Sequence, residues 1–211
     1  MLIEILVLPG VDELDALAPL EVLRNAAADG ANIRVRIVSL DGESPITGAH
    51  GLRFATDGAL GATGVPELLL VPGGGWNLRA PQSAWAEAQR GAIPRAIGRL
   101  HAEGSVLAAV CTGTMLIAAS GSLLGRHAVT HHGAIEELRS AGVQVIDARV
   151  VDDGDIITSG GVTSGLDLAL YVLQRFVGAE IAQKVEKRLE YERRGGVWTQ
   201  TATVAPGMAR P

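Results

Sequence analysis

Short, nearly continuous apolar runs recur along the chain, each followed by a stretch of mixed polarity at helical spacing. Residues 2–8, Leu-Ile-Glu-Ile-Leu-Val-Leu, form the first run and read as a strand buried on both faces. Residues 12–30 predict a helix, with Leu20, Leu23 and Ala27 on its apolar face and Gly30 at its end. Residues 33–40 alternate apolar and polar positions, as a strand nearer a sheet edge does. Residues 41–64 are glycine-rich, with a short strand or hairpin expected around 51–57. Leu68–Val71 is a further strand, running into Gly73, Gly74 and Gly75. Residues 82–103 predict helix, with Pro94 marking a break or a new start.

The second half repeats the pattern. Residues 105–110 predict a strand, 112–124 a helix with Gly121 near its end, 127–132 a short strand and 133–142 a helix stopped by glycine. Strands are expected at 143–151 and 155–159. A helix follows over 160–178, with Leu166, Ala169, Leu170 and Leu173 as its apolar face. A last helix is expected over 179–194, with Glu180/Lys184 and Glu190/Arg194 four residues apart. This alternation predicts an α/β fold: a doubly wound, mostly parallel sheet with helices on both faces. The expected organisation is a single domain over residues 1–195 and a loosely held tail over 196–211.

Composition narrows the function. The core is aliphatic, since hydrophobic residues make up 47% of the chain and aromatics only 3%. A net charge of −5 offers no basic footprint for nucleic acid. The N-terminal run lacks a basic flank and is interrupted by Glu4, so a signal peptide is not expected. No apolar run reaches the roughly 18 residues of a membrane span, and the cytoplasm is the expected compartment. The single cysteine, Cys111, excludes an internal disulfide framework.

Cys111 follows the strand at 105–110 directly and precedes a helix. A side chain at such a junction is exposed at the top edge of the sheet. The N–H groups and partial positive charge of the helix start favour thiolate there. A free cysteine in this position is also read as a small buried hydrophobe. The glycines at 73–75 end a neighbouring strand, where main-chain N–H groups converge on a reacting atom or the chain merely turns tightly. His131 and His132 close the strand at 127–132. They cannot both face the same way, and His131 is the better candidate to meet a substrate, with an exposed turn position as its alternative. Asp12, Glu13 and Asp15 lie just past the first strand. Asp12 suits a helix N-cap, and a carboxyl near the thiol would be hard to ionise. Asp167 reads as structural. A metal site is not expected, because no CxxC or HxxxH is present and Cys111 with one histidine supplies too few ligands. No cofactor is called for.

The strand end at 71–75, the stretch 108–132 around Cys111 and the helix opening at 158–170 together resemble the ThiJ/PfpI superfamily, over nearly the whole chain to about residue 190. Within it, residues 9–23 with Asp15, and threonine rather than histidine after the cysteine, are most similar to the isonitrile hydratases. The sensor-like domains of AraC-type regulators share much of the pattern, but a regulator with a helix-turn-helix module is not the expectation here. The resemblance implies that the sheet is flavodoxin-like, and it implies a homodimer and the conversion of an isonitrile to an N-substituted formamide. It implies that Cys111 is the nucleophile and Asp15 the acid/base. Thr112 would position water or substrate, and main-chain groups at Gly74 and Gly75 would hold developing charge. The PfpI-type peptidases have histidine where Thr112 stands, and glyoxalase- or deglycase-like members commonly have glutamate where Asp15 stands. Both departures argue against those activities. The competing expectations are a glyoxalase- or deglycase-like thiol enzyme and a redox-sensing or small-molecule-binding protein.

Overall fold

The first apolar run becomes β1 (Leu2–Leu6), fully covered apart from its first residue. The computed structural model describes residues 1–200. The helix after β1 is α1 (Glu13–Ala28), capped by Asp12, whose Oδ1 accepts from the Leu14 N–H at 3.1 Å. Its buried face includes Ala16, Pro19, Val22, Leu23 and Ala26, while Leu20 and Ala27 are only half-buried. The expected face is therefore rotated by part of a turn, toward the side that meets the sheet and the later helices.

The chain continues through β2 (Arg34–Val38), the small hairpin β3 (Ile46–Thr47) and β4 (Arg53–Phe54), and β5 (Leu68–Val71). Two helices follow, α2 (Ala84–Arg90) and α3 (Ala92–Ala102), separated at Gly91, with Pro94 in the first turn of α3. Then come β6 (Val106–Val110), α4 (Gly113–Ala119), β7 (His127–Ala128), α5 (Ile135–Ser140), β8 (Gln144–Val145), β9 (Val150–Asp152) and β10 (Ile156–Ser159). The described chain closes with α6 (Ser164–Phe176), α7 (Ala179–Arg188) and β11 (Val197–Thr199).

Seven strands form one sheet in the order β11-β9-β10-β6-β5-β1-β2, parallel except where β9 meets β10. Helices α1, α6 and α7 pack together on one face, and α2, α3 and α4 on the other. The sheet is thus the covered, doubly wound α/β layer that the alternation predicts, in a single domain. The parallel strands β1, β5, β6 and β10 end along one edge, and the chain leaving each of them builds the site.

Three expectations are corrected. The stretch 127–132 does not extend the main sheet. Only His127 and Ala128 are strand, paired with β8 in a separate two-stranded sheet. Side chains end the ladder there: the Val129 N–H donates to Thr158 Oγ1 and its carbonyl accepts from Thr114 Oγ1, both at 2.9 Å. The last helix stops at Arg188 rather than 194, because Tyr191 Oη and the Arg194 N–H are drawn to Asp167. Lys184 pairs with Asp29, as Arg188 does, instead of with the expected Glu180, and Glu190 and Arg194 lie beyond the end of α7. Residues 197–199, placed with the tail by their sequence, add a parallel edge strand to β9. The rest of the expected tail, from residue 201, lies outside the described residues. Among the described residues no helix is long and apolar enough to cross a membrane.

Candidate active site

Cys111 follows β6 immediately, and its backbone takes φ = +58°, a left-handed conformation that costs a non-glycine residue of order 1–3 kcal/mol. Hydrogen bonds hold it there. The Cys111 N–H donates to the Gly160 carbonyl at 2.9 Å, and its own carbonyl accepts from Thr130 Oγ1 at 2.9 Å. The turn also needs Gly113, where a Cβ would lie 1.9 Å from the Val71 carbonyl oxygen. This close approach sets the start of α4 against the end of β5. Cys111 is 6% exposed and borders a cavity of about 190 Å³ with Asp12, Gly75, Thr112, His131 and Val162.

Asp15, in the first turn of α1, is fully buried. Its Oδ2 accepts from the Gly73 N–H at 3.0 Å, and its Oδ1 is buried with no hydrogen-bond partner among the described residues. Burial, and next the charge of Asp12, push its carboxyl up to about 7, against the opposing pull of its contacts with Gly73 and Cys111. Cys111 moves the same way. Burial, then the charge of Asp15, push its thiol up to about 12, although the N–H groups of Val162 and Thr112 both stabilise the sulfur anion. The thiolate expected from the helix start is therefore corrected to a thiol at rest. Loss of water and a neighbouring acid outweigh two main-chain donors.

The other candidates fall around this pair. Thr112 is buried beside the cavity, and its Oγ1 accepts from the Gly74 N–H at 3.0 Å, tying the glycine turn to the elbow. That use of the Gly74 N–H departs from the expected role for both glycines. The Gly75 N–H alone has no partner among the described residues. His131 lines the cavity, whereas His132 is exposed. His131 Nδ1 accepts from the Gly133 N–H at 3.1 Å, so a neutral ring carries its proton on Nε2. Burial and His132 both lower its pKa, which favours that neutral form. Trp76 walls the cavity and donates from Nε1 to Glu137 at 3.1 Å. Trp198 lies away from it, stacked on His127 in β11. Asp167 accepts from Arg149, Tyr191 and the Arg194 N–H, which makes it a structural anchor.

Two contributors escape sequence reasoning. Val162 takes φ = +43°, a conformation that β-branched residues avoid, and it brings a main-chain N–H to the sulfur. The two glycines before it are the only trace of this in the sequence. Thr130, a lone hydroxyl residue in an otherwise strand-like stretch, is the donor to the Cys111 carbonyl. Beside the cavity, Asp12, Glu13 and His50 bring one potential ligand atom each within 4.8 Å of one another. Within this group Glu13 is engaged by His50 Nδ1 at 2.6 Å and by two main-chain N–H groups, so Glu13 and His50 form a satisfied pair.

Known proteins are similar to this chain over most of its length. The profile of the DJ-1/PfpI family matches residues 1–175. An isonitrile hydratase from Pseudomonas putida is 32% identical over 186 residues, which cover 88% of this chain and 76% of that protein. A Parkinson disease protein 7 homolog from Danio rerio is 27% identical, over 85% of this chain and 92% of its own. A crystal structure of a ThiJ/PfpI family protein from Pseudomonas syringae superposes with a TM-score of 0.80 at 26% identity, covering 92% of this chain and 76% of the other.

Proposed function

The chain belongs to the DJ-1/PfpI family, and from that premise we propose that it is a cysteine-dependent enzyme that hydrates small isonitriles to N-substituted formamides. One observation carries this reading: a buried, half-satisfied Asp15 carboxyl titrating near neutrality beside the only thiol of the chain, at the edge of a small cavity. The similarity to an isonitrile hydratase supports the substrate class.

The terminal carbon of R–N≡C must gain both a nucleophile and a proton. In the proposed route Asp15, as carboxylate, takes the Cys111 proton. Sulfur then bonds to the isonitrile carbon as the Asp15 carboxyl returns the proton to that same carbon, giving R–N=CH–S–Cys111. Water adds to this thioimidate with Asp15 again as base and the nitrogen taking up a proton. The C–S bond breaks, sulfur recovers its proton, and R–NH–CHO leaves. The net change is one isonitrile plus one water to one formamide. The N–H groups of Val162 and Thr112 stabilise sulfur whenever it carries negative charge. Thr112 Oγ1 fixes the glycine turn, and the free Gly75 N–H and His131 Nε2–H are the donors for polar atoms of substrate or water.

The active form on this route is the pair with one proton between thiol and carboxyl. It forms as Asp15 loses its proton, so kcat/KM rises with pH through about 7 and then levels. The test is turnover of an aliphatic isonitrile followed by formamide absorbance, with Cys111→Ala and Asp15→Asn alongside wild type. Loss of turnover in both variants is expected. Consumption of methylglyoxal without isonitrile turnover would replace the reading with a glyoxalase-like one. A peroxide sensor is disfavoured, because such cysteines have a low pKa, while burial and the charge of Asp15 push that of Cys111 up. A cytoplasmic homodimer is part of the same proposal, and the mass of the particle in solution tests the dimer.

A further inference from the structure

The cavity at Cys111 has an uneven charge. Among the described residues no lysine or arginine lines it, while Asp12 does, with its charge acting on both Asp15 and the wall residue His131, and Asp15 is against the sulfur. The other charged groups nearby do not cancel this. Arg79, from the loop after β5, is spent on Glu137 at 2.8 Å. His50 is paired with Glu13 at 2.6 Å, so the cation it supplies is matched by another acid. His131, the remaining titratable group on the wall, is held toward its neutral form. Asp12 itself has one oxygen on the Leu14 N–H at the start of α1, and no side-chain donor occupies the other among the described residues.

We propose that this cavity admits neutral and cationic substrates and rejects anions, and that Asp12 is the residue that sets this preference. The inference rests on the hydratase reading for the reaction, but not for the selectivity itself. A substrate carrying an ammonium group or a hydroxyl would place it against Asp12 while its reactive carbon faces Cys111. A carboxylate-bearing substrate of the same length would meet an acid with no counter-charge on the wall. Leu78, 84% exposed at the same cavity, offers an apolar surface for the intervening carbon chain.

Because Cys111 is the only cysteine, thiol-labelling rates report on this cavity alone. Methanethiosulfonate reagents of matched size bearing an ammonium, a hydroxyl or a sulfonate group form a disulfide with Cys111 and release methanesulfinate. Their second-order rates, each divided by the rate with 2-mercaptoethanol in the same buffer, are compared by mass spectrometry. Wild type is expected to favour the cation over the anion by about tenfold at low ionic strength, with the neutral reagent between them and the spread shrinking in 0.5 M salt. Asp12→Asn retains a good helix cap and is expected to lose most of the spread, and Asp12→Ser provides a second capped variant. Equal normalised rates in wild type, or a spread that persists in both variants, would overturn the inference. A parallel comparison of KM for an ammonium-bearing and a carboxylate-bearing isonitrile separates the two claims. Absence of isonitrile turnover defeats the hydratase reading, while the labelling rates still decide the charge preference.

Discussion

Two acids, Glu4 in the middle of β1 and Asp15 in the first turn of the helix that follows it, are both fully buried, and they live in opposite circumstances. Glu4, on the strand, meets Arg36 of β2 through Nη1 and accepts the Gly61 N–H with its other oxygen at 2.8 Å. Arg36 in turn donates to Thr63 and to the Asp57 carbonyl. Asp15, beyond the strand, has one main-chain donor, an empty oxygen and a thiol. A buried carboxylate with a donor on each oxygen is a structural tie that fastens loop 57–63 to the sheet. A buried carboxyl with a vacancy keeps its proton negotiable near neutral pH. The same side-chain chemistry thus serves architecture on the strand and, in the proposed reaction, proton transfer on the helix after it.

The largest effect that would break this comparison is at the satisfied pair. Arg36→Met leaves Glu4 uncompensated, and urea unfolding is expected to show a loss of roughly 3–5 kcal/mol. Turnover per folded molecule should be unchanged. Asp15→Asn should do the reverse, lowering kcat/KM by about 10²–10⁴-fold. Its stability effect has a definite sign. Folding raises the Asp15 pKa from 3.8 to about 7, so the wild type loses stability as pH rises from about 4 through 7. Asp15→Asn removes that slope. It should be the more stable protein at pH 8, by an amount on the order of a few kcal/mol at most, measurable as a difference in Tm across pH. A wild-type profile that is flat between pH 4 and 7 would show that the two acids are not different after all.

Smaller changes sharpen the contrast at the elbow. Thr130→Val removes the donor to the Cys111 carbonyl and should cost about 1–3 kcal/mol of stability. If Thr130 positions the thiol, kcat should fall while KM holds, and Thr130→Ser should restore both. The smallest expected effect is at Val162. Val162→Gly relieves the positive φ but loses partly buried side-chain contacts. Its net stability change should be under about 1 kcal/mol, with kcat reduced because the N–H facing sulfur is no longer fixed.

The sheet and the placement of Cys111 were legible in the sequence because they follow from local pattern and parallel topology. An apolar run that meets a helix at a polar residue puts that residue at the carboxyl edge. The same pattern put Asp12, Glu13 and Asp15 just past the first strand and suggested the capping role of Asp12, whereas it was the family resemblance that singled out Asp15. The state of the thiol was not, because it depends on summed burial and on a charge from a different element. The histidine stretch looked like a strand because its residues suit one. Its backbone groups were instead claimed by the hydroxyls of Thr114 and Thr158, which lie far along the chain from one another. The end of α7 misled likewise: the helical spacing runs on, but Asp167 of α6 pulls the chain away after Arg188.

The elbow, its acid, the glycine turn and the Val162 amide leave four different strands, β6, β1, β5 and β10, drawn from residues 2 to 159. No contiguous fragment holds the whole constellation. Recovery of activity during refolding should therefore lag behind the return of helical signal, since long-range parallel pairing is slow to close. Turnover, on the proposed reading, would then serve as a clock for the final step of the molecule's own assembly.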